Sequence, residues 1–274
     1  METFLSELND LIGLGNIKQE IEEMAKYIEI LKRRNESGLS TDMPGMYAVF
    51  MGAPGTGKTT VPRLLARIYK SLGIIKKETL VEASRQDLVA EYVGQTAVKT
   101  NKLIDKAMHG VLFIDEAYAL TSKGKNDFGQ EAIEVLLKRM EDDRDKFVVV
   151  VAGYPEPMTQ FLESNPGLPS RFNKKYLFED FSEEELKEIF LYYLNKSLYQ
   201  LVEDAHDDLL NRINKKLQHK DKFFGNARWV RKLFEACKIS QAQRLSTMEF
   251  INEEDLQLLT LEDLENAFLK LQKV

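Results

Sequence analysis

Gly52-Ala53-Pro54-Gly55-Thr56-Gly57-Lys58-Thr59 has the form G-x-x-x-x-G-K-[ST], the spacing of a phosphate-binding loop. The apolar run Tyr47 to Met51 before it reads as a strand, and Leu64, Leu65 and Ile68 after it mark one face of a helix. Strand, turn and helix are the context that phosphate binding requires. The glycines at 52, 55 and 57 let the backbone curl and turn its N–H groups inward. The helix that follows adds a positive end, and Lys58 would reach the β- and γ-phosphates. Thr59 is left to ligate Mg²⁺. Pro54, Gly55, Thr56, Gly57, Lys58, Thr59 and Thr60 together form the expected nucleotide-binding stretch.

Pro62 conflicts with a helix that starts at Gly57 or Lys58, because position 62 would be the first to need the N–H that proline lacks. The sequence therefore predicts an irregular first turn there. Gly73 closes this helix after Ser71.

A second signature lies downstream. Gly110-Val111-Leu112-Phe113-Ile114 is a continuous apolar run, as expected of a strand buried on both faces of a parallel sheet. It delivers Asp115-Glu116 at its carboxyl end, where such sheets bind ligands. Asp115 would hold Mg²⁺, directly or through water, and Glu116 would polarise the attacking water. That base separates the site from a small-molecule kinase, which needs none. The expected reaction is Mg-dependent hydrolysis of a bound nucleotide.

The remaining pattern gives the architecture. Further strands are read at Thr79–Ala83, Phe147–Ala152 and Tyr176–Phe178. Helices are read at Ile17–Leu31, Ala97–Met108, Phe128–Asp142 and through Met158 and Phe161, with loops at Lys32–Pro44 and Thr121–Asp127. From the capping box Ser182-x-x-Glu185 onward every periodic segment is helical: Leu186–Leu194, Leu209–Leu217, Ala227–Leu245 and Leu261–Leu271. Alternating strands and helices followed by helices alone predict an α/β domain over 1–181 and a small helical domain over 182–274.

Composition excludes other classes. The 43% hydrophobic and 30% charged residues are those of a soluble globular chain. The opening Met1-Glu2-Thr3-Phe4 lacks the order of a signal peptide, and the densest apolar run, Phe147 to Ala152, is strand-sized. Insertion in a membrane is not expected. The single Cys237 forms no internal disulfide and no histidine is placed to activate it, so a reducing cytoplasm is expected. His109, His206 and His219 are too scattered for a zinc motif. A net charge of −6 argues against a nucleic-acid partner. Lys215, Lys216, Lys220 and Lys222 are interleaved with Asp221 and read as a solvated helix end.

Taken together, Gly52 to Thr60, Phe113 to Leu120, Gly129 to Glu134, Ala152-Gly153-Tyr154, Ser164 to Phe172 and Gly225-Asn226-Ala227-Arg228 resemble the AAA+ ATPases. The resemblance extends over nearly the whole length. It is strongest to the branch holding stage V sporulation protein K and the red-type Rubisco activase. It implies a P-loop AAA+ core, a parallel sheet flanked by helices, followed by an all-α lid. It also implies a homo-oligomeric ring, usually a hexamer, with ATP between subunits. By the same resemblance Ile12 and Gly13 line the adenine pocket. Arg171 matches the arginine finger that reaches the next subunit's site, a charge worth roughly 10³–10⁵ in rate. Arg228 matches the second sensor, a lid arginine on the phosphates. Tyr154 stands where the first sensor's polar residue usually lies.

Tyr92-Val93-Gly94 matches the loop that lines the pore of protein-threading members. The aromatic grips a chain without reading its sequence, and the glycine lets the loop move. The implied function is remodelling of a protein client in a ring pore. The alternatives are activation of red-type Rubisco and service as the ATPase of a secretion assembly. A nucleic-acid motor is disfavoured by the acidic balance and the Tyr-Val-Gly loop.

Overall fold

The apolar runs read as strands form one parallel sheet. The computed structural model describes residues 2–39, 44–92, 94–121 and 128–272. Contacts divide the chain into two units, Met1–Gly52 with Gly57–Phe178, and Ala53–Thr56 with Glu179–Val274. The tip of the phosphate loop thus counts with the second unit.

In the first unit, α1 (Glu2–Asn9) and α2 (Gly15–Glu36) precede β1 (Ala48–Gly52). Helix α2 buries Ile17, Ile21, Met24, Ile28 and Leu31, the stripe read from the sequence. It runs five residues further than that stripe, to Glu36, so the expected loop at 32–44 begins late. Arg33 and Arg34 favour the extra turn, because cations suit a helix carboxyl end. Residues 40–43 lie outside the described residues.

After the phosphate loop, α3 (Val61–Ser71) begins at Val61. Thr60 and Val61 donate their N–H groups to the Gly57 carbonyl at 2.9 and 3.1 Å, which closes an irregular turn ahead of the helix. Pro62 then falls in the first helical turn, where its missing N–H costs nothing. Gly73, at φ 62°, ends the helix as read.

The chain continues through β2 (Leu80–Ala83), α4 (Arg85–Leu88), α5 (Thr96–Ala107) and β3 (Val111–Ile114). A 3₁₀ turn at Ala117–Thr121 leads to α6 (Gly129–Asp142), β4 (Val148–Gly153), α7 (Pro155–Glu163), α8 (Gly167–Arg171) and β5 (Lys174–Phe178). The short helices α4 and α8 carry too little periodicity to be read from sequence. Of the loop read at Thr121–Asp127, residues 122–127 lie outside the described residues.

The sheet order is β2-β3-β4-β1-β5. Phe50 pairs with Ala152 and Tyr176, and Phe113 with Val150. Strands β3 and β4 are buried at every position, so their alternation is invisible and only continuous apolarity marks them. Each such valine or isoleucine contributes roughly 1.5–3 kcal/mol by burial.

The second unit contains α9 (Glu183–Lys196), β6 (Gln200–Leu201), α10 (Ala205–Gln218), α11 (Ala227–Leu245), α12 (Glu253–Gln257), β7 (Leu258–Leu259) and α13 (Leu261–Gln272). Ser182 and Glu185 form the expected capping box. The unit is helical as read, and it adds one short parallel pair, β6 with β7, Gln200 opposite Leu258 and Leu201 opposite Leu259. Two residues show no period, so nothing in the sequence marks them. Gln241 Nε2 holds the second strand's approach by donating to the carbonyls of Asp255, Leu256 and Leu258 at 3.0–3.1 Å.

Candidate nucleotide site

Parallel strands place every carboxyl end on one edge of the sheet. In the first unit, β1 therefore delivers Gly57, Lys58 and Thr59 to the same edge as Asp115 and Glu116 after β3 and Tyr154 after β4. Lys58 Nζ donates to the Gly52 carbonyl at 2.8 Å and lies 5.8 Å from the Tyr154 ring centre. Thr59 and Thr60 are exposed and Asp115 is half-buried. Asp115 accepts from the Glu116 N–H at 3.0 Å, while its own N–H is fixed to the Ala83 carbonyl of β2. Glu116 is exposed and sits at φ 49°. A non-glycine residue in the left-handed region costs of order 1–3 kcal/mol and marks over-determined positions, often functional ones.

Tyr118 was not singled out by the sequence, yet it belongs here. Burial first, then the Glu116 charge, pushes its hydroxyl up to about 12, so it stays protonated. Its ring lies 6.0 Å from that of Tyr154. A Cβ on Gly153 would stand 2.7 Å from Tyr118 Cδ1, so glycine there makes room for the pair. The signal available in the sequence was Tyr118's place between the Asp-Glu pair and Leu120.

Ile12 and Gly13 reach the loop through their neighbour. Gly13 (φ 66°) and Leu14 (φ 61°) are consecutive left-handed residues, and Leu14 packs so close to Gly57 that a Cβ there would meet Leu14 Cδ1 at 3.3 Å. Lys18 donates to the carbonyls of Leu11 and Asn9, and Asn16 to that of Leu177 at 2.8 Å, pinning the segment.

A hard dication such as Mg²⁺ suits this donor set. Thr59 offers a hydroxyl and Asp115 a carboxylate, both oxygen donors. No group of three or more His, Cys, Asp or Glu residues with metal-binding geometry occurs among the described residues. Mg²⁺ needs only one or two protein oxygens when phosphates and water complete its shell.

Arg171 is not brought to this edge. It ends α8 and precedes β5, so it stands at the amino ends of the strands, beside a cleft of about 460 Å³ lined by Tyr47, Met140, Glu141 and Arg144. Its Nη2 donates to Glu141 at 3.1 Å and its Nη1 to Gly167 at 3.4 Å. Its Nε is buried with no partner among the described residues.

Tyr92 is also apart, on the stretch between α4 and α5, with 67% of its surface exposed. Gly94 has φ 77° and open space around it. Val93 lies outside the described residues.

In the second unit, the loop tip Ala53–Thr56 packs on the start of α11. Thr56 is fully buried and its Oγ1 donates to the Ala53 carbonyl at 2.9 Å. The Ala227 N–H donates to the Gly55 carbonyl at 3.2 Å. Gly55 has φ 71°, and a Cβ on it would stand 2.1 Å from the Gly225 carbonyl oxygen, so only glycine fits. Arg228 is exposed in the first turn of α11.

Comparison with known proteins gives the family. Residues 48–180 match the ATPase family associated with various cellular activities (AAA), and residues 182–273 match the AAA lid domain. The chain is 39% identical to stage V sporulation protein K of Bacillus subtilis over 94% of its length and 80% of that protein's. It is 42% identical to protein CbbX of Cereibacter sphaeroides, covering 89% of this chain and 79% of that one. It is 40% identical to the ESX-3 secretion system protein EccA3 of Mycolicibacterium smegmatis, covering 96% of this chain but only 45% of that longer protein. The FIGL-1 AAA domain shares the fold, with a TM-score of 0.68, 18% identity, and coverage of 96% of this chain and 82% of that one. The phosphate loop, the Asp-Glu strand end and the helical second unit thus place this chain in the AAA+ ATPase family, on the branch of stage V sporulation protein K and the red-type Rubisco activase.

Proposed function

We propose that the protein is a Mg-dependent ATPase of the cytoplasm that assembles into a homo-oligomeric ring, a hexamer, and remodels a protein client in its pore. Residues 1–181 act as the nucleotide-binding domain and 182–274 as the lid. ATP sits on Pro54 to Thr60, with its base against Ile12 and Gly13 and its phosphates near Arg228. Thr59 and Asp115 would hold Mg²⁺, which supplies charge neutralisation at the phosphates. Glu116 orients the attacking water and Tyr154 serves as first sensor. Nucleic acid and membrane insertion have no part in this reading. Among the described residues no helix is long and apolar enough to cross a membrane.

One observation carries the ring. Arg171 and the phosphate loop lie at opposite ends of the sheet, and the five residues of β1 span roughly 16 Å. An arginine side chain does not bridge that distance, so Arg171 serves a site other than its own subunit's. Tyr92, exposed on a separate stretch, supports the pore. Trapping with Glu116→Gln tests the whole reading: the variant should bind ATP and hold its client, and a variant that hydrolyses ATP at the wild-type rate would sink it.

The relatives' names favour two narrower readings. Likeness to the chloroplastic ribulose bisphosphate carboxylase/oxygenase activase of Cyanidioschyzon merolae supports action on Rubisco. Likeness to EccA3 supports service in a secretion assembly. The protein captured by Glu116→Gln separates these from a sporulation-type client.

A further inference from the structure

Asn226 joins a strained backbone to a side chain with four hydrogen-bond contacts. It lies ahead of α11 at φ 45° and ψ −125°, fully buried. Such a conformation persists only where surroundings over-determine it. Here the side chain does so. Its Oδ1 accepts the Phe181 N–H at 3.0 Å. Its Nδ2 faces Asp180 Oδ1 at 2.8 Å, the Phe224 carbonyl at 3.2 Å and the Pro54 carbonyl at 3.3 Å. The other Asp180 oxygen is held by Lys220, a residue that the sequence presented only as part of a solvated helix end.

Two features turn this cluster from a cap into a device. First, a peptide is planar and trans, so fixing its carbonyl fixes the direction of the N–H on its opposite edge. Asn226 holds the Pro54 carbonyl and Ala227 the Gly55 carbonyl. The N–H groups of Gly55 and Thr56 are thereby both set facing away from the lid helix, and these are phosphate donors in a loop of this type. Second, an amide nitrogen has two hydrogens, and three oxygens surround this one. The Pro54 contact is the longest of the three. It can be released while Asp180 and Phe224 keep the amide satisfied, so the loop can move without stranding a buried donor.

We infer that Asn226 is a positioning residue that presets the phosphate loop for nucleotide and ties that setting to the Asp180-Phe181 junction. The inference rests on the nucleotide reading above. The role is distinct from that of Arg228, which would touch the nucleotide itself.

The test separates positioning from plain stability. Asn226→Asp alone sets a carboxylate against Asp180 and should lower both the unfolding midpoint and affinity for a fluorescent ADP. Adding Asp180→Asn restores a donor–acceptor pair, now running from position 180 to position 226, and leaves the Phe181 bond intact. It restores a donor to neither the Pro54 nor the Phe224 carbonyl, and of these two only Pro54 belongs to the phosphate loop. The double variant should therefore recover most of the wild-type midpoint without nucleotide, yet bind ADP about three- to tenfold more weakly, the effect of one lost hydrogen bond. Wild-type ADP affinity in the double variant would overturn the inference. So would a midpoint and an affinity that stay depressed together, since Asn226 would then be only structural. Failure of the unmodified full chain to bind ADP would instead refute the nucleotide reading, and this inference with it.

Discussion

Arg171 donates to Glu141 across 3.1 Å, with the carboxylate side 64% exposed. An ion pair this wet contributes about 0–1 kcal/mol, so the guanidinium can leave it for a stronger anion. That is the behaviour required of a charge that acts on a neighbouring subunit.

Arg171→Ala should bind ATP nearly as wild type and hydrolyse it poorly. Mixing it with Lys58→Ala should restore some turnover at interfaces that pair an intact Lys58 with an intact Arg171. ATPase per subunit should rise with protein concentration as rings assemble. Glu141→Gln should shift the unfolding midpoint by no more than about 2 °C. A rate independent of concentration, in a protein that sediments as a monomer, would rule the shared site out.

Binding and turnover should come apart at the other edge of the sheet. Lys58→Ala should remove most ATP affinity, because on the proposed reading that charge meets the phosphates. Glu116→Gln should keep affinity and lose hydrolysis, since only water activation is touched. Equal loss of binding in both variants, read by calorimetry, would show the roles to be misassigned.

The difference between these two edges explains what the sequence made legible. Lys58, Asp115 and Glu116 follow strands whose apolar runs announce themselves, so their convergence follows from parallel pairing alone. Asp-Glu after Ile114 needed no further context. Tyr118 was silent because its role depends on the space left by Gly153, a relation between two strands' ends. Asn226 was visible only as part of a motif, because its four contacts reach residues at 54, 180, 181 and 224. The β6–β7 pair left no period at all, being two residues long on each side, with the Gln241 amide holding only the approach to β7.

Cys237 offers a reporter for the second unit. Burial first, and then the Asp263 carboxylate, pushes its thiol up to about 12 from an ordinary 9.0. A group with a raised folded value stabilises fully below its unfolded value and less as pH climbs toward the folded one. Stability of this unit should therefore be flat with respect to Cys237 up to about pH 9 and decline between 9 and 12. At pH 8 the thiol should resist a disulfide reagent until denaturant opens the helices. Rapid labelling of the native protein at pH 8 would contradict both statements.

Tyr92 distinguishes a threading machine from an ATPase that grips nothing. If it were a core residue, Tyr92→Ala would cost roughly 3–5 kcal/mol, melt early and lose ATPase with everything else. The structure leaves 67% of it exposed, and the adjacent Gly94 has open space around it. Tyr92→Ala should thus keep its unfolding midpoint and hold basal ATPase within a few-fold of wild type. Coupling is what it should lose: stimulation by a client, or unfolding of that client, should collapse. Tyr92→Phe should be mild, because the ring face supplies the grip and the hydroxyl adds little. Thermal unfolding measured beside ATPase and client unfolding decides the case. A stable Tyr92→Ala protein that still unfolds its client at the wild-type rate would remove Tyr92 from the pore, even with every nucleotide-site residue confirmed.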